Sequence, residues 1–357
     1  MTNNKIKICY FGAYNPELAR NEVYLSGLRQ NSAEVIECSD SSPGLVKYYR
    51  LFIKHWKIRK QYDVMIVGYA GHFLVPFAKL ICNKPIVFNA MTSLYEASIV
   101  SRGKYAPCSL FAWRIWLIDW LAFKLSDLVL VETNKQKDYL VKKFKIKHKK
   151  FVRLYTGAND AIFYPEKKAE KSGKFTVLFR GRLLPEAGVR YILETAKILE
   201  DEDIKFLILG FGLLEKEIKK QIKNLGLENL ELISERLTIE ELREKMLSAD
   251  IGIGQIENHE RLKRTVPYKA FEYLAMKLPY INGNGEGIKE LLRDRENCLL
   301  VNLADPKDLA EKIIELKNNP ELGKKIAENG YKLYQEKLTP AVLGKELMSL
   351  CLQLIKK

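Results

Sequence analysis

The chain is poor in the residues that build metal and disulfide sites. It has four histidines and six cysteines among 357 residues, and no two cysteines form a CxxC pair. These absences argue against structural zinc and against a disulfide framework, so we expect no metal and a reducing, cytoplasmic location. The cysteines are Cys9, Cys38, Cys82, Cys108, Cys298 and Cys351.

Long apolar runs are also missing. No stretch has the roughly 18 consecutive apolar residues that a spanning helix needs. The first residues, MTNNKIKICYFG, lack the apolar core of a signal peptide, and we expect neither a signal peptide nor a membrane span. Neither half of the chain has a GxGxxG motif after its first strand, which argues against a nicotinamide or flavin enzyme.

The charge is distributed unevenly along the chain. The net charge is +15, of which residues 1–165 carry +13. A basic half of this kind predicts an anionic partner. Aromatic and basic side chains alternate through residues 44–62, a pattern that suits a membrane headgroup zone, although a surface helix packed on a sheet is the alternative. We expect the first domain to contact an anionic membrane surface at the inner face of the cell membrane, and no nucleic acid, because no recognisable nucleic-acid module accompanies the charge.

Each half of the chain repeats the same alternation of short apolar strands and helices. Val-, Ile- and Leu-rich strands separated by helices predict an α/β fold with two doubly wound parallel domains. We expect domains at residues 1–165 and 166–336, joined by a hydrophilic linker at 165–174, with a last helix at about 337–357 that packs back on the first domain. The predicted strands are Ile6–Phe11, Glu34–Cys38, Asp63–Val67, Pro85–Asn89, Asp127–Val131, Phe151–Tyr155, Phe175–Phe179, Ile204–Leu209, Leu230–Ser234, Asp250–Gly254, Pro279–Asn282 and Cys298–Val301.

Candidate binding residues follow several of these strands. Ligands of such sheets bind beyond the carboxyl ends of the strands. Four glycines lie at such ends, namely Gly12, Gly181, Gly210 and Gly212.

The segment 266–279, VPYKAFEYLAMKLP, predicts a helix opened by Pro267 with Glu272 in its first turn. The free N–H groups at a helix start favour phosphate, and a carboxylate can accept hydrogen bonds from hydroxyls. A nucleotide sugar carries both groups. The alternative is a buried helix whose first-turn glutamate is favoured by the helix dipole.

Four segments of the second half resemble, in order and spacing, the retaining GT-B glycosyltransferases of glycosyltransferase family 4. The first half resembles the family more loosely, through Tyr10–Cys38 and Ser126–Leu140. The resemblance implies two Rossmann-like doubly wound domains facing across a cleft, with the acceptor on the first and the nucleotide sugar on the second. The four segments are FRGRLLPEAGVRYILETAKIL, LILGFGLLEKEI, LTIEELREKMLSADIGI and VPYKAFEYLAMKLP.

The resemblance also implies an activity. It implies transfer of a sugar from a UDP- or GDP-linked donor to a lipid-linked or polysaccharide acceptor, with retention of anomeric configuration and without a cofactor. At matching positions, Arg182 lies on the donor diphosphate, Glu272 holds the ribose, and Gly12 lets the first domain approach the phosphates. Arginine suits the first role because its planar fork pairs with two phosphate oxygens and stays charged.

The chain departs from the family pattern near the donor. A lysine that the family commonly has five residues after Arg182 is Ala187 here, and a glutamate eight residues before Glu272 is Arg264. Three basic residues are candidates to supply the missing charge: Lys263, Arg264 and Lys269.

A histidine usual after the fourth strand is also missing, and Asn89 lies in that neighbourhood. His72 could contact the acceptor, but a structural role is its alternative. The sequence identifies no nucleophile, so the catalytic residues are unknown. A non-catalytic descendant of the fold that binds a glycan or a lipid phosphate therefore remains an alternative, and a basic nucleic-acid binder is a second one supported by charge alone.

Overall fold

The computed structural model describes residues 5–166 and 173–356. The chain divides into two compact units, one comprising Met1–Gly157 with Leu338–Lys357 and the other comprising Ala158–Lys337. The boundary that we predicted after residue 165 thus falls inside the second unit. Most of the predicted linker lies outside the described residues.

The first unit is built on a six-stranded parallel sheet in the order β2-β1-β3-β4-β5-β6. The central strands are continuous apolar runs, VMIV and LVLV, and they are buried throughout because helices cover both faces of such a sheet. The strands are β1 Lys7–Gly12, β2 Glu34–Ser39, β3 Val64–Val67, β4 Ile86–Met91, β5 Leu128–Val131 and β6 Phe151–Arg153.

Helices connect these strands in sequence. Thr133 and Ser109 cap two of them by accepting hydrogen bonds from backbone N–H groups of the first turn. A π-helical turn covers Glu96–Val100, and a 3-10 turn covers His148–Lys150. The α-helices are α1 Ala19–Gln30, α2 Val46–Ile58, α3 Leu74–Ile81, α4 Leu110–Leu125 and α5 Asn134–Phe144.

The second unit repeats the architecture with sheet order β12-β11-β10-β7-β8-β9, again parallel. Its strands are β7 Phe175–Arg180, β8 Ile204–Leu209, β9 Leu230–Ile233, β10 Ile251–Ile253, β11 Tyr280–Gly283 and β12 Leu299–Val301. Its helices are α6 Val189–Ile198, α7 Glu215–Leu225, α8 Ile239–Ser248, α9 Tyr268–Ala275, α10 Pro306–Asn318 and α11 Pro320–Lys337, with 3-10 turns at Pro185–Ala187 and Ile288–Glu290.

The last helix, α12 Pro340–Ile355, belongs to the first unit and packs against α1. The two helices approach closely because glycines face each other: a Cβ built on Gly27 would lie 2.0 Å from the Pro340 carbonyl oxygen. By length and composition alone, the helical stretch Pro320–Ile355 could cross a membrane. That is weak evidence, because Leu343, Leu347 and Cys351 of α12 are fully buried in the unit.

The structure confirms the predicted fold class of two doubly wound α/β domains. All twelve predicted strands are present, each within two residues of its predicted bounds. Their apolar side chains form a separate core in each unit.

Candidate functional site

A glycine-rich turn follows β7 at the carboxyl edge of the second sheet. Gly181 has φ of +154°, a conformation that side chains rarely adopt, and a Cβ built on Gly210 would lie 2.0 Å from the Gly181 carbonyl oxygen. The Gly181 N–H donates to the Leu209 carbonyl at 2.9 Å, which holds the turn beside the end of β8. The fold therefore brings together two of the predicted glycines.

Gly212 and Arg182 lie in the same pair of turns. The Leu183 N–H donates to the Phe211 carbonyl at 3.0 Å, and a Cβ on Gly212 would lie 2.7 Å from the Leu183 carbonyl oxygen. Arg182 is exposed, with its guanidinium carbon 5.0 Å from the centroid of the Phe211 ring. Within the described part of the chain its guanidinium makes no hydrogen bond or salt bridge, so it is available to an anion.

Helix α9 begins later than the sequence predicts. Pro267 is the N-cap with extended backbone (ψ 128°), Tyr268 is the first helical residue, and the first turn contains no acidic residue. The prediction that Glu272 lies in the first turn is therefore wrong. Since Glu272 is the fifth helical residue, the helix dipole is not what stabilises its charge.

Glu272 is instead held by Arg180, the last residue of β7. The Glu272 side chain is only 3% exposed, and its Oε2 accepts a charge-assisted hydrogen bond from the Arg180 guanidinium. Burial alone lowers the pKa of Arg180, but the Glu272 carboxylate outweighs it and raises that pKa. Tyr273 fixes the same junction, because its hydroxyl accepts from the Arg180 backbone N–H at 2.9 Å.

Sequence reasoning missed Arg180. The available signal was a charged residue ending an otherwise apolar strand, FTVLFR, at the edge where ligands bind. Its pairing with Glu272 joins α9 to the strand that leads into the glycine turn and Arg182.

Lys269 lies under the same turn. It is 4% exposed, and its Nζ is 3.7 Å from the centroid of the Phe179 ring. Burial, followed by repulsion from Arg180, lowers the pKa of Lys269 to about 7 against the opposing attraction of Glu272.

The other two basic candidates, Lys263 and Arg264, share one carboxylate. The Nζ of Lys263 lies 2.5 Å from the Glu260 carboxylate, and the Arg264 guanidinium lies 3.7 Å from it. Part of their charge is thus already neutralised. Ala187 is 1% exposed and belongs to the apolar core of the second unit, so it supplies no charge to the site.

The first unit contains the remaining predicted residues. Gly12 ends β1 with φ of +142°. Asn89 is fully buried, and its Oδ1 accepts from the Arg20 Nε at 2.6 Å. His72 is also buried; its Nε2 lies 2.9 Å from the Thr92 carbonyl oxygen, and burial lowers its pKa to about 4. Both side chains therefore have structural partners.

A buried ion pair in the first unit was not predicted. The Arg20 guanidinium lies 2.9 Å from Glu132, and both side chains are at most 3% exposed. Thr156 donates its hydroxyl to the same carboxylate at 2.5 Å. The residues are too far apart in sequence for a motif to reveal them. Across residues 5–166 and 173–356, no group of three or more His, Cys, Asp or Glu side chains could hold a metal ion.

A doubly wound domain with a glycine turn, an exposed arginine and a buried carboxylate at the carboxyl edge of its sheet is typical of nucleotide-binding α/β proteins. Residues 160–333, nearly the whole second unit, match the family described as Glycosyl transferases group 1. An uncharacterized glycosyltransferase of Methanocaldococcus jannaschii is 31% identical over 186 residues, which cover 50% of this chain and 46% of that protein. The chain thus spans about half the length of this curated relative.

Solved structures extend the similarity to both units. Sucrose-phosphate synthase from Thermosynechococcus elongatus aligns with a TM-score of 0.76 at 13% identity, covering 99% of this chain and 100% of that one. Anabaena HepE in complex with UDP-glucose aligns with a TM-score of 0.73 at 14% identity, covering 98% and 100%. At these identities the likeness shows the fold, which is that of GT-B glycosyltransferases.

Proposed function

We propose that the protein is a glycosyltransferase that takes its sugar from a nucleoside-diphosphate donor bound by the second unit. The observation that carries the proposal is the arrangement at the edge of that unit's sheet. Arg182, which has no hydrogen bond or salt bridge among the described residues, lies two residues beyond Arg180, which holds the buried carboxylate of Glu272. The unit in which this occurs is the one that matches the glycosyltransferase family.

Each group has a chemical role in this proposal. Arg182 pairs with the donor diphosphate and stabilises the negative charge that develops on it as the sugar leaves. The Oε2 of Glu272 accepts a hydrogen bond from Arg180, and its other oxygen accepts hydrogen bonds from the vicinal ribose hydroxyls. The N–H groups at the start of α9 add a partial positive charge.

A panel of UDP- and GDP-sugars tests the proposal. A ligand that binds only the folded state stabilises the protein and raises its melting temperature. At a ligand concentration one hundred times the dissociation constant, the free energy of unfolding rises by about 2.7 kcal/mol. We expect at least one of these sugars to stabilise the protein. If none does at millimolar concentration, while a glycan or a lipid phosphate does, the non-catalytic alternative is correct instead.

We further propose that transfer retains the anomeric configuration, to a lipid-linked or polysaccharide acceptor. Support comes from the resemblance of the motifs to a retaining family. Proton NMR of the sugar first released from the donor measures the configuration directly. Release of the opposite anomer would exclude retention.

The proposal for the acceptor includes contact between the first unit and a membrane surface. Helix α2 buries only Leu51 and His55. It exposes Tyr49, which is 67% accessible, and Trp56, which is 54% accessible. The sequence VKYYRLFIKHWKI places basic residues between these aromatic ones. Aromatic rings with adjacent cations suit the headgroup zone of an anionic bilayer, where each nearby Lys or Arg adds roughly 1 kcal/mol.

Sedimentation with vesicles tests this surface. We expect binding to phosphatidylglycerol vesicles at low salt, release as salt screens the charges, and weaker binding for Trp56→Ala. Ile198→Ala removes an exposed apolar side chain from the second unit and is the matched control. Equal binding to neutral vesicles would contradict the electrostatic part of the proposal.

A further inference from the structure

Lys269 is a buried amine directed at the glycine turn. A Cβ built on Gly181 would come within 2.7 Å of the Lys269 Nζ and 3.0 Å of its Cε, so the side chain fills the space that the glycine leaves open. Within residues 5–166 and 173–356, its Nζ makes no hydrogen bond or salt bridge. Its contact in the free protein is the face of the Phe179 ring, 3.7 Å away. A buried amine that has an aromatic face but no hydrogen bond or salt bridge in the described chain is costly as a cation, which points to an anionic ligand.

The charged groups around Lys269 explain why it forms no salt bridge within the described chain. Glu272, one turn further along α9, is committed to Arg180 from β7. Arg180 repels a charge on Lys269, while Glu272 attracts it. The other titratable groups here are the hydroxyls of Tyr268 and Tyr273, and burial raises the pKa of both. They therefore stay neutral near pH 7 and do not compensate an ammonium group.

We propose that Lys269 binds the donor diphosphate and takes up a proton from solvent as it does so, in the place of the lysine that position 187 lacks. This proposal rests on the proposed function and adds a proton to its binding step. The amine of the free protein gains one proton and becomes an ammonium group beside the phosphate oxygens. The buffer supplies that proton, and no other bond changes.

Lys269 takes up a proton because binding of the diphosphate changes the charges around its amine. In the free protein, burial and Arg180 hold the pKa of Lys269 at about 7. A diphosphate at the Gly181 turn places negative charge against the same Nζ, and an opposite charge a few ångströms away favours the ammonium form. Linkage then makes the affinity for a nucleoside diphosphate fall as pH rises above 7, by up to about tenfold per pH unit.

Calorimetric titration of UDP, or of GDP if the protein binds no UDP, at pH 8 and in two buffers of different ionisation enthalpy counts the protons exchanged. The terminal phosphate of UDP is already ionised at this pH, because such groups have a pKa of about 6. We expect the wild type to take up close to one proton per UDP bound. Lys269→Met should abolish the uptake and weaken binding about tenfold or more. Lys269→Arg, which is always charged, should bind UDP without uptake.

Lys289→Met is the matched control, because Lys289 is an exposed lysine paired with Glu286 in the same unit. It should leave both the affinity and the uptake unchanged. UDP binding to the wild type without proton uptake would overturn this inference alone, and so would full uptake in Lys269→Met. If the wild type binds neither UDP nor GDP, the proposed function is overturned as well, so the two failures are distinguishable.

Discussion

At the scale of single residues, the site depends on partners that the sequence does not reveal. The motif indicated Glu272, but its partner Arg180 is 92 positions away along the chain. Only the packing of α9 under β7 brings the two together. The predicted role of Glu272 on the ribose stays a prediction, whereas the alternative, a first-turn glutamate stabilised by the helix dipole, is wrong.

The Glu272→Gln variant separates binding from stability. It keeps the shape of the side chain but leaves Arg180 facing a neutral group, so we expect a loss of about 1–3 kcal/mol in the free energy of unfolding. We also expect weaker UDP binding, because an amide oxygen accepts hydrogen bonds from hydroxyls less strongly than a carboxylate does. Calorimetry and urea unfolding measure both. Glu132→Gln, which alters the buried pair with Arg20, is the control and should lose stability alone.

The Arg182→Ala variant tests the diphosphate ligand. Because the guanidinium is exposed and unpaired within the described chain, we expect no change in melting temperature. UDP affinity should fall by about 1.5–3 kcal/mol, the range for a hydrogen bond to a charged group. Arg293→Ala removes another exposed arginine and should have no effect on affinity. Unchanged affinity in a folded Arg182→Ala protein would remove this residue from the site.

Lys269 also predicts a pH dependence of stability. Its folded-state pKa of about 7 lies below the unfolded value of about 10.4, so folding disfavours the ammonium form. The penalty is complete below pH 7 and disappears as pH rises towards 10, with a slope of up to about 1.4 kcal/mol per pH unit. In urea unfolding at pH 7, 8 and 9, the free energy of unfolding of the wild type should rise relative to that of Lys269→Met. A constant difference would show that Lys269 is charged throughout.

At the scale of elements, periodicity and composition predicted the strands well. Strands such as LVLV are buried on both faces, so they appear in the sequence as continuous apolar runs whatever the neighbouring strands are. The start of α9 was predicted one residue early, because Pro267 keeps extended backbone and serves as the N-cap. The crossing of α1 and α12 was beyond sequence reasoning, since it depends on Gly27 and Gly344 facing each other.

That helix crossing can be tested with two glycine substitutions. A Cβ on Gly344 would lie 2.1 Å from the Gly27 carbonyl carbon, so Gly344→Ala must push α12 from α1 and cost about 1–3 kcal/mol. In α11, a Cβ on Gly323 meets nothing closer than 3.9 Å. Gly323→Ala should therefore be neutral or stabilising by up to about 1 kcal/mol. Urea unfolding compares the two, and equal effects would contradict the close crossing.

At the scale of the whole molecule, the two units differ in charge and in the residues at the edges of their sheets. The first carries most of the +15 net charge and the exposed aromatic face of α2. The second carries the glycine turn, Arg182 and Glu272. The sequence predicted the uneven distribution of charge. The structure was needed to show which charged side chains are buried or paired. Lys263 and Arg264 were predicted on the same grounds as Lys269, but they face Glu260, whereas the Glu272 carboxylate near Lys269 is paired with Arg180.

We expect the protein to break the sugar–phosphate bond of a nucleoside-diphosphate sugar with the site of the second unit. The most direct measurement is release of UDP or GDP from a panel of donors, with water or added acceptor, by the wild type and by Glu272→Gln. We expect release from at least one donor, reduced at least about tenfold in the variant, which is 1.4 kcal/mol of lost stabilisation. Release at equal rates by both proteins, or binding of a donor without any release, would contradict the account.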